Sequence, residues 1–273
     1  MFSLAQPLLI FTDLDGSLLD HDTYDHKPAR EWLERLATAR VPVIFNTSKT
    51  AAEVWPLYRE LGLTAPFIAE NGGCVHLPPD WAGDEPADDD GWARVVLGAS
   101  RQRILTVLEA VRETESLRFR GFADMTVEEI ISLTGLDAAG AERARQREAS
   151  EPLVWKDSAS ALEHFRLELI GAGLELTRGG RFHHVMGETC NKGRACGWLI
   201  SRFEQLHGAG VASIGLGDGP NDIPMFDTVD AAVIIRGRHE QPIEVRDESR
   251  AYRTRAEGPQ GWAEGLAHWL DDE

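Results

Sequence analysis

Residues 8–16 read Leu8-Leu9-Ile10-Phe11-Thr12-Asp13-Leu14-Asp15-Gly16. The apolar run Leu8–Phe11 lies between Pro7 and the polar turn Asp13–Ser17 and shows no alternation. It therefore reads as a strand buried on both faces, as in a parallel sheet. Two carboxylates follow at i and i+2, at the strand's C-terminal end, where open α/β sheets bind ligands. Gly16 lets the chain turn away sharply. Two carboxylates this close repel, and both stay ionised only when a cation or hydrogen-bond donors neutralise them. Mg2+ is the natural hard cation for such a pair, whereas a helix-capping turn is the plain alternative.

Working outward, Pro28–Arg40 places Trp32, Leu33, Leu36 and Ala37 at helical spacing. Val41–Phe45 is the next strand and ends in Asn46-Thr47-Ser48. Thr50–Leu61 reads as a helix closed by Gly62, and Phe67–Ala69 as a third strand followed by Glu70-Asn71-Gly72-Gly73. Such alternation argues for right-handed βαβ units. The run Asp84-Glu85-Pro86-Ala87-Asp88-Asp89-Asp90 then reads as a solvated loop at a domain boundary.

From about Trp92 to Met186 the texture is that of a separate α+β unit. Helices are expected at Ser100–Thr114, Val127–Leu133, Ala138–Glu148 and Leu162–Leu169, with short extended segments between them, Arg94–Leu97 and Leu153–Trp155 included. The last third returns to α/β: a helix over Asn191–Leu206, a strand over Val211–Leu216, a Gly-rich turn, a strand over Ala231–Ile235 and a final helix near Gly261–Leu270. The expected architecture is α/β, with a doubly wound, mostly parallel core sheet built from 1–84 and 188–273. An inserted α+β cap domain occupies 85–187.

The chain has 273 residues, with 28 Lys plus Arg against 45 Asp plus Glu, a formal net charge of −17. This acidity repels a phosphate backbone and disfavours a nucleic-acid partner, but leaves room for a small anionic substrate in a locally positive pocket. Cys74, Cys190 and Cys196 form neither a disulfide framework nor a zinc spacing, and read as idle thiols of a reducing compartment. The N-terminus lacks a basic region, and no stretch approaches the ~18 apolar residues of a membrane span. A cytoplasmic protein without a membrane partner is expected.

Three further segments bear on chemistry. Gly215-Leu216-Gly217-Asp218-Gly219-Pro220-Asn221-Asp222 offers two more acids in a turn after a strand, while its glycine spacing fails the dinucleotide fingerprint. Thr47-Ser48 supplies hydroxyls and backbone N–H groups at a helix start, an anion site or an ordinary N-cap. Lys192 begins a helix, where a cation opposes the dipole unless it meets an anion. Alone it would read as a solvent-exposed lysine.

Together, Asp13-x-Asp15, Thr47, Lys192 and Asp218-x-x-x-Asp222 resemble the four motifs of the haloacid dehalogenase superfamily of phosphohydrolases, and the cap between the second and third motifs resembles its type IIB branch. Within that branch the chain is most similar to the mannosyl-3-phosphoglycerate phosphatases. The similarity rests on FTDLDGSLLD (11–20), NTSKT (46–50), PFIAENGG (66–73), GFADMT (121–126), REASEPLVW (147–155), GGRFHHVMG (179–187) and GLGDGPNDIPM (215–225). Asn191 departs from the Asp or Gly common before the motif lysine.

The resemblance implies Mg2+-dependent hydrolysis of a small phosphorylated glycosyl-glycerate. Asp13 would be the nucleophile and Asp15 the general acid and base. Mg2+ would sit on Asp13, Asp15 (through its backbone carbonyl), Asp218 and Asp222. Thr47, Ser48 and Lys192 would hold phosphoryl oxygens. Glu70, Asn71 and Asn221 would serve the substrate side, and Arg147 and Arg181 are the expected partners of a substrate carboxylate. Of His183 and His184, adjacent on a strand, at most one can face the pocket. A glucosyl-preferring or broader phosphatase and a phosphomannomutase-type isomerase stay open; the latter must return the phosphoryl group to the sugar.

Overall fold

The structure, a computed structural model, describes residues 1–178, 182–238 and 243–271. Arg181 lies outside the described residues. Strand β1 (Leu8–Thr12) is buried throughout. It pairs in parallel with β2 (Val43–Phe45) on one side and with a strand of the last third, Ala212–Gly217, on the other. The long middle segment therefore leaves the core sheet and returns to it beside β1.

The remaining strands, in chain order, are β3 (Phe67–Ala69), β4 (Cys74–Leu77), β5 (Ala93–Val96), β6 (Phe119–Gly121), β7 (Ser150–Trp155), β8 (Leu174–Arg178), β9 (His183–Gly187), β10 (Ala212–Gly217), β11 (Ala231–Arg236) and β12 (Ala251–Glu257). The helices are α1 (Arg30–Thr38), α2 (Ala51–Glu60), α3 (Pro79–Ala82), α4 (Arg101–Glu115), α5 (Val127–Thr134), α6 (Ala138–Arg145), α7 (Ala159–Gly171), α8 (Lys192–His207), α9 (Ile223–Phe226) and α10 (Gly258–Trp269).

The core sheet has the order β12-β11-β10-β1-β2, all parallel. Alternation along β1 explains its two helical layers. Leu8 and Ile10 pack with Leu36, Val54 and Trp262 on one face. Leu9 and Phe11 pack with Cys196, Leu199 and Met225 on the other. This is the doubly wound arrangement expected. Strand β12 was not anticipated: its Ala-Tyr-Arg-Thr-Arg-Ala-Glu carries charge along a solvent-facing sheet edge, which hides the apolar signal.

A second sheet, β3-β4-β5, is antiparallel and joins the core through the bridge between Asn46 and Ile68. Here one expected boundary is corrected. Ala93–Val96 was assigned to the cap, yet β5 pairs with β4, and Val95 and Leu97 pack against the core cluster. The cap's own sheet, β6-β7-β9-β8, is antiparallel. Its apolar face is covered by α4 and α7 through Ile104, Leu108, Phe165 and Leu169. Strand β7 begins earlier than expected because Glu151, a charge in an otherwise apolar run, is paired in the interior with Arg101 at 3.0 Å.

Cap and core are tied by specific polar contacts. The Thr50 hydroxyl, which also caps α2, donates to the Arg143 carbonyl at 2.9 Å. Among the described residues no helix is long and apolar enough to cross a membrane.

Candidate active site

The parallel register sets the site. The Asp13 N–H donates to the Leu216 carbonyl at 2.8 Å, so the ends of β1 and β10 lie side by side. The loops after them carry Asp13, Asp15, Asp218 and Asp222 to one edge of the sheet. Two glycines are required there. A Cβ on Gly16, at φ +77°, would come within 2.5 Å of the Asp218 carboxylate, and one on Gly217 within 2.4 Å of the Asp222 side chain.

Lys192 opens α8 and is fully buried. Its Nζ donates to Asp13 Oδ1 at 2.7 Å and to Asp222 Oδ1 at 2.6 Å. The two anions answer why a lysine stands at a helix N-terminus. Burial opposes its charge, but Asp13 and Asp222 more than offset that and raise its pKa, so it remains an ammonium. Asn46, also buried, donates to the Lys192 carbonyl at 3.2 Å and anchors the start of α8 to the end of β2.

The acids are less well compensated. Burial, then repulsion from Asp13 and Asp222, pushes Asp218 up to about 8. Burial raises Asp222 to about 6 in spite of Lys192. Burial likewise raises Asp13 against the pull of the ammonium. Ligand atoms of Asp13, Asp218 and Asp222 lie within 4.8 Å of one another. Asp15 Oδ1 is buried without a hydrogen-bond partner. An oxygen-only donor set with excess buried negative charge fits a hard divalent cation such as Mg2+.

Several expected residues stand elsewhere than foreseen. Ser48 lines the cavity, whereas the buried Thr47 hydroxyl accepts the Lys49 N–H at 3.2 Å. Asn71 and Asn221 line the cavity, and the Asn221 amide donates to Asn71 Oδ1 at 3.2 Å, linking the turn after β10 to the loop after β3. Glu70 does not reach toward a ligand: its carboxylate accepts the N–H groups of Glu148 and Ala149 and the Ser150 hydroxyl, at 2.6, 3.2 and 2.5 Å. Its role is to clamp the chain entering β7 onto the core. Arg147 is likewise spent on structure, donating to the carbonyls of Ser48 and Ala144 and to the Ser150 hydroxyl.

The cavity holds about 1200 Å³. Its floor is the carboxylate cluster, and its roof is the cap strands, through Glu175, Thr177, Arg178, His184 and Met186. Of the two adjacent histidines only His184 lines it. Burial, Arg147 and His183 hold His184 down at about 3, as a neutral ring. Sequence reasoning missed this roof, although the i, i+2 spacing of Glu175 and Thr177 signals one face of a strand. It also missed Lys49, whose Nζ lies 2.9 Å from Asp15 Oδ2.

Residues 10–91 match the haloacid dehalogenase-like hydrolase family. The fold of nearly the whole chain is similar to that of several solved proteins. One is a phosphatase of the haloalkanoate dehalogenase superfamily from Bacteroides thetaiotaomicron (TM-score 0.68, 18% identity, 97% of this chain and 96% of that one). Another is a subclass IIB sugar phosphatase (TM-score 0.65, 17% identity, 96% and 98%). A third is the sucrose-phosphatase of Synechocystis sp. PCC6803, solved with sucrose and phosphate (TM-score 0.62, 16% identity, 97% and 98%). The family match covers residues 10–91, and the likeness in fold to these solved phosphatases extends over nearly the full length.

Proposed function

We propose that the protein is a Mg2+-dependent phosphatase that hydrolyses 2-O-mannosyl-3-phosphoglycerate to mannosylglycerate and phosphate. The observation that carries the chemistry is the placement of Asp13 and Asp15 beneath a roofed cavity, with Lys192 bonded to one oxygen of Asp13.

A carboxylate oxygen of Asp13 attacks phosphorus as the ester P–O bond breaks. Asp15, as general acid, gives a proton to the departing sugar-side oxygen. Asp15, now a base, takes a proton from water, whose oxygen attacks phosphorus of the aspartyl-phosphate. Inorganic phosphate leaves and Asp13 is regenerated. Two moderate barriers replace one high barrier. Lys192 fixes the nucleophile's rotamer, and Lys49 holds Asp15 toward the cavity. When bound, Mg2+ supplies neutralising charge for the phosphoryl oxygens, and Asp13, Asp218 and the Asp15 carbonyl would hold it, supported by Asp222. Ser48 and Lys192 meet the phosphoryl group from the other side.

Substrate choice falls to the roof. Arg178 lines the cavity and makes no ion pair among the described residues, so it takes the carboxylate-binding role first expected of Arg147 and Arg181. Glu175, Thr177 and Asn71 offer hydrogen bonds to sugar hydroxyls. Similarity of fold to a sugar phosphatase and to a sucrose-phosphatase supports a phosphorylated sugar, and the cap segments quoted above support the glycerate ester. Phosphate release from mannosyl- and glucosyl-3-phosphoglycerate tests the reading. Faster release from the mannosyl ester, without a bisphosphate activator, is expected. Turnover of neither ester, or isomerisation without phosphate release, contradicts it.

A further inference from the structure

A second cluster of ligating groups lies away from the cavity, where the chain entering β7 meets β4. Cys74 and His76 stand at i and i+2 on β4 and so share one face of the strand. Both converge on a single oxygen of Glu148. Cys74 Sγ is 3.3 Å and His76 Nε2 2.9 Å from Glu148 Oε2. Cys74 is fully buried, His76 is 7% exposed, and the Glu148 side chain is 19% exposed.

We propose that Cys74, His76 and Glu148 form a Zn2+ site that ties the base of the cap to the core. Zn–S near 2.3 Å and Zn–N and Zn–O near 2.0 Å imply tetrahedral edges of about 3.5 Å for S···O and about 3.3 Å for N···O. The observed separations are shorter by only a few tenths of an ångström, so a small outward movement admits the ion. One thiolate, one imidazole and one carboxylate are a donor set of the borderline softness that Zn2+ favours, and three protein donors leave one position for water.

The surroundings hold these groups in place. Arg94 Nη1 binds the other oxygen of Glu148 at 2.9 Å, fixing which oxygen faces Cys74 and His76. Phe67 stacks on the His76 ring at 4.7 Å with an interplanar angle of 8°. Glu70 fixes the backbone of Glu148 from the other side. Burial and the neighbouring carboxylates Glu70 and Glu148 push the Cys74 thiol up, so it is protonated without a cation. Zn2+ binding therefore releases the thiol proton to solvent, and the proton through which His76 Nε2 bonds Glu148 must leave that nitrogen for it to ligate. Because the donors come from β4 and from the segment just before β7, far apart in sequence, the ion would hold the cap's root as a staple.

The test uses the metal-stripped full chain in excess Mg2+, titrated with Co2+ and then Zn2+. The proposal expects one equivalent of Co2+ with a thiolate charge-transfer band, displaced by one equivalent of Zn2+ and absent in Cys74→Ser. No band in the parent protein overturns it, as does an unchanged band in Cys74→Ser, which would place the ion at Cys190 or Cys196. Should Cys74→Ser fail to fold, alkylation of the parent protein decides. With Zn2+ at about ten times its Kd, modification of Cys74 should slow about tenfold and that of Cys196 should not. Equal rates with and without Zn2+ overturn the site. None of these outcomes bears on Asp13 or on phosphate release.

Discussion

The floor and the roof of the cavity are built on different physical terms. On the floor, Asp13 and Asp222 are held by a fully buried lysine through contacts of 2.7 and 2.6 Å, and Gly16 and Gly217 sit where no side chain fits. On the roof, Glu175, Thr177 and Arg178 are presented by the edge strand β8 with few fixed partners. A preorganised floor suits one reaction on a phosphoryl group, which needs positioning and charge more than variety. A roof of adaptable side chains on a separate sheet suits the choice of leaving group. Substitutions in the two regions should therefore differ in kind: floor variants should lose turnover on every ester, and roof variants should lose it selectively.

The largest effect is expected at the nucleophile. Asp13→Asn conserves volume and should reduce kcat by at least about 10³-fold on all substrates while circular dichroism stays unchanged. Substantial turnover in the folded variant would remove Asp13 from the mechanism. Lys192→Met comes next. It strands two buried carboxylates, which costs on the order of 3–5 kcal/mol, read as a lower denaturation midpoint together with lost activity. A variant of normal stability would mean that Lys192 is not the partner of these anions in solution.

Arg178→Ala sharpens the contrast. Loss of a hydrogen bond to a charged group is worth about 1.5–3 kcal/mol, so kcat/KM for a carboxylate-bearing glycosyl-phosphoglycerate should fall about tenfold or more. An aryl phosphate without a carboxylate should be hydrolysed as before. Equal losses on both would make Arg178 part of the floor's work.

The smallest effect concerns pH. Asp218, at about 8, and Asp222, at about 6, both bind protons more tightly folded than unfolded, where the reference value is 3.8. Above about pH 6.5, where His184 no longer gains a proton on unfolding, the folded state holds more protons up to about pH 8 through Asp218, and stability falls as pH rises. The Tm of the metal-free protein should decline from about pH 6.5 to pH 8. Mg2+ should raise Tm most at the alkaline end, because it replaces those protons. A metal-free Tm that rises over this range contradicts the assigned burial of the two acids.

How legible each region was in the sequence follows from the same physics. Leu8–Phe11 with its trailing aspartates announces itself because burial on both faces demands an unbroken apolar run. Strand β12 did not, since Arg253, Arg255 and Glu257 lie along an exposed edge. Strand β4 did not, because Cys-Val-His-Leu is short and follows two glycines. Lys192 read alone is a surface lysine and was marked by its motif and its place at a helix start, while its partners, two chain-distant aspartates, appear only in the fold. Glu70 and Arg147 look like ligand-binding residues in the sequence, and only the tertiary structure shows their charges already used to fasten the cap. Local pattern thus reports the sheet and its motif turns, whereas the partner of a charged side chain is a property of the folded chain.

The nucleophile assignment is tested most directly by acid quenching the protein during turnover of a phosphate ester in Mg2+ and mapping the phosphoryl group by mass spectrometry. The mechanism predicts phosphorylation of the peptide that carries Asp13, at the Asp13 carboxylate, and its disappearance once substrate is exhausted. Turnover with no covalent phosphate at Asp13, or with phosphate on another residue, would contradict it.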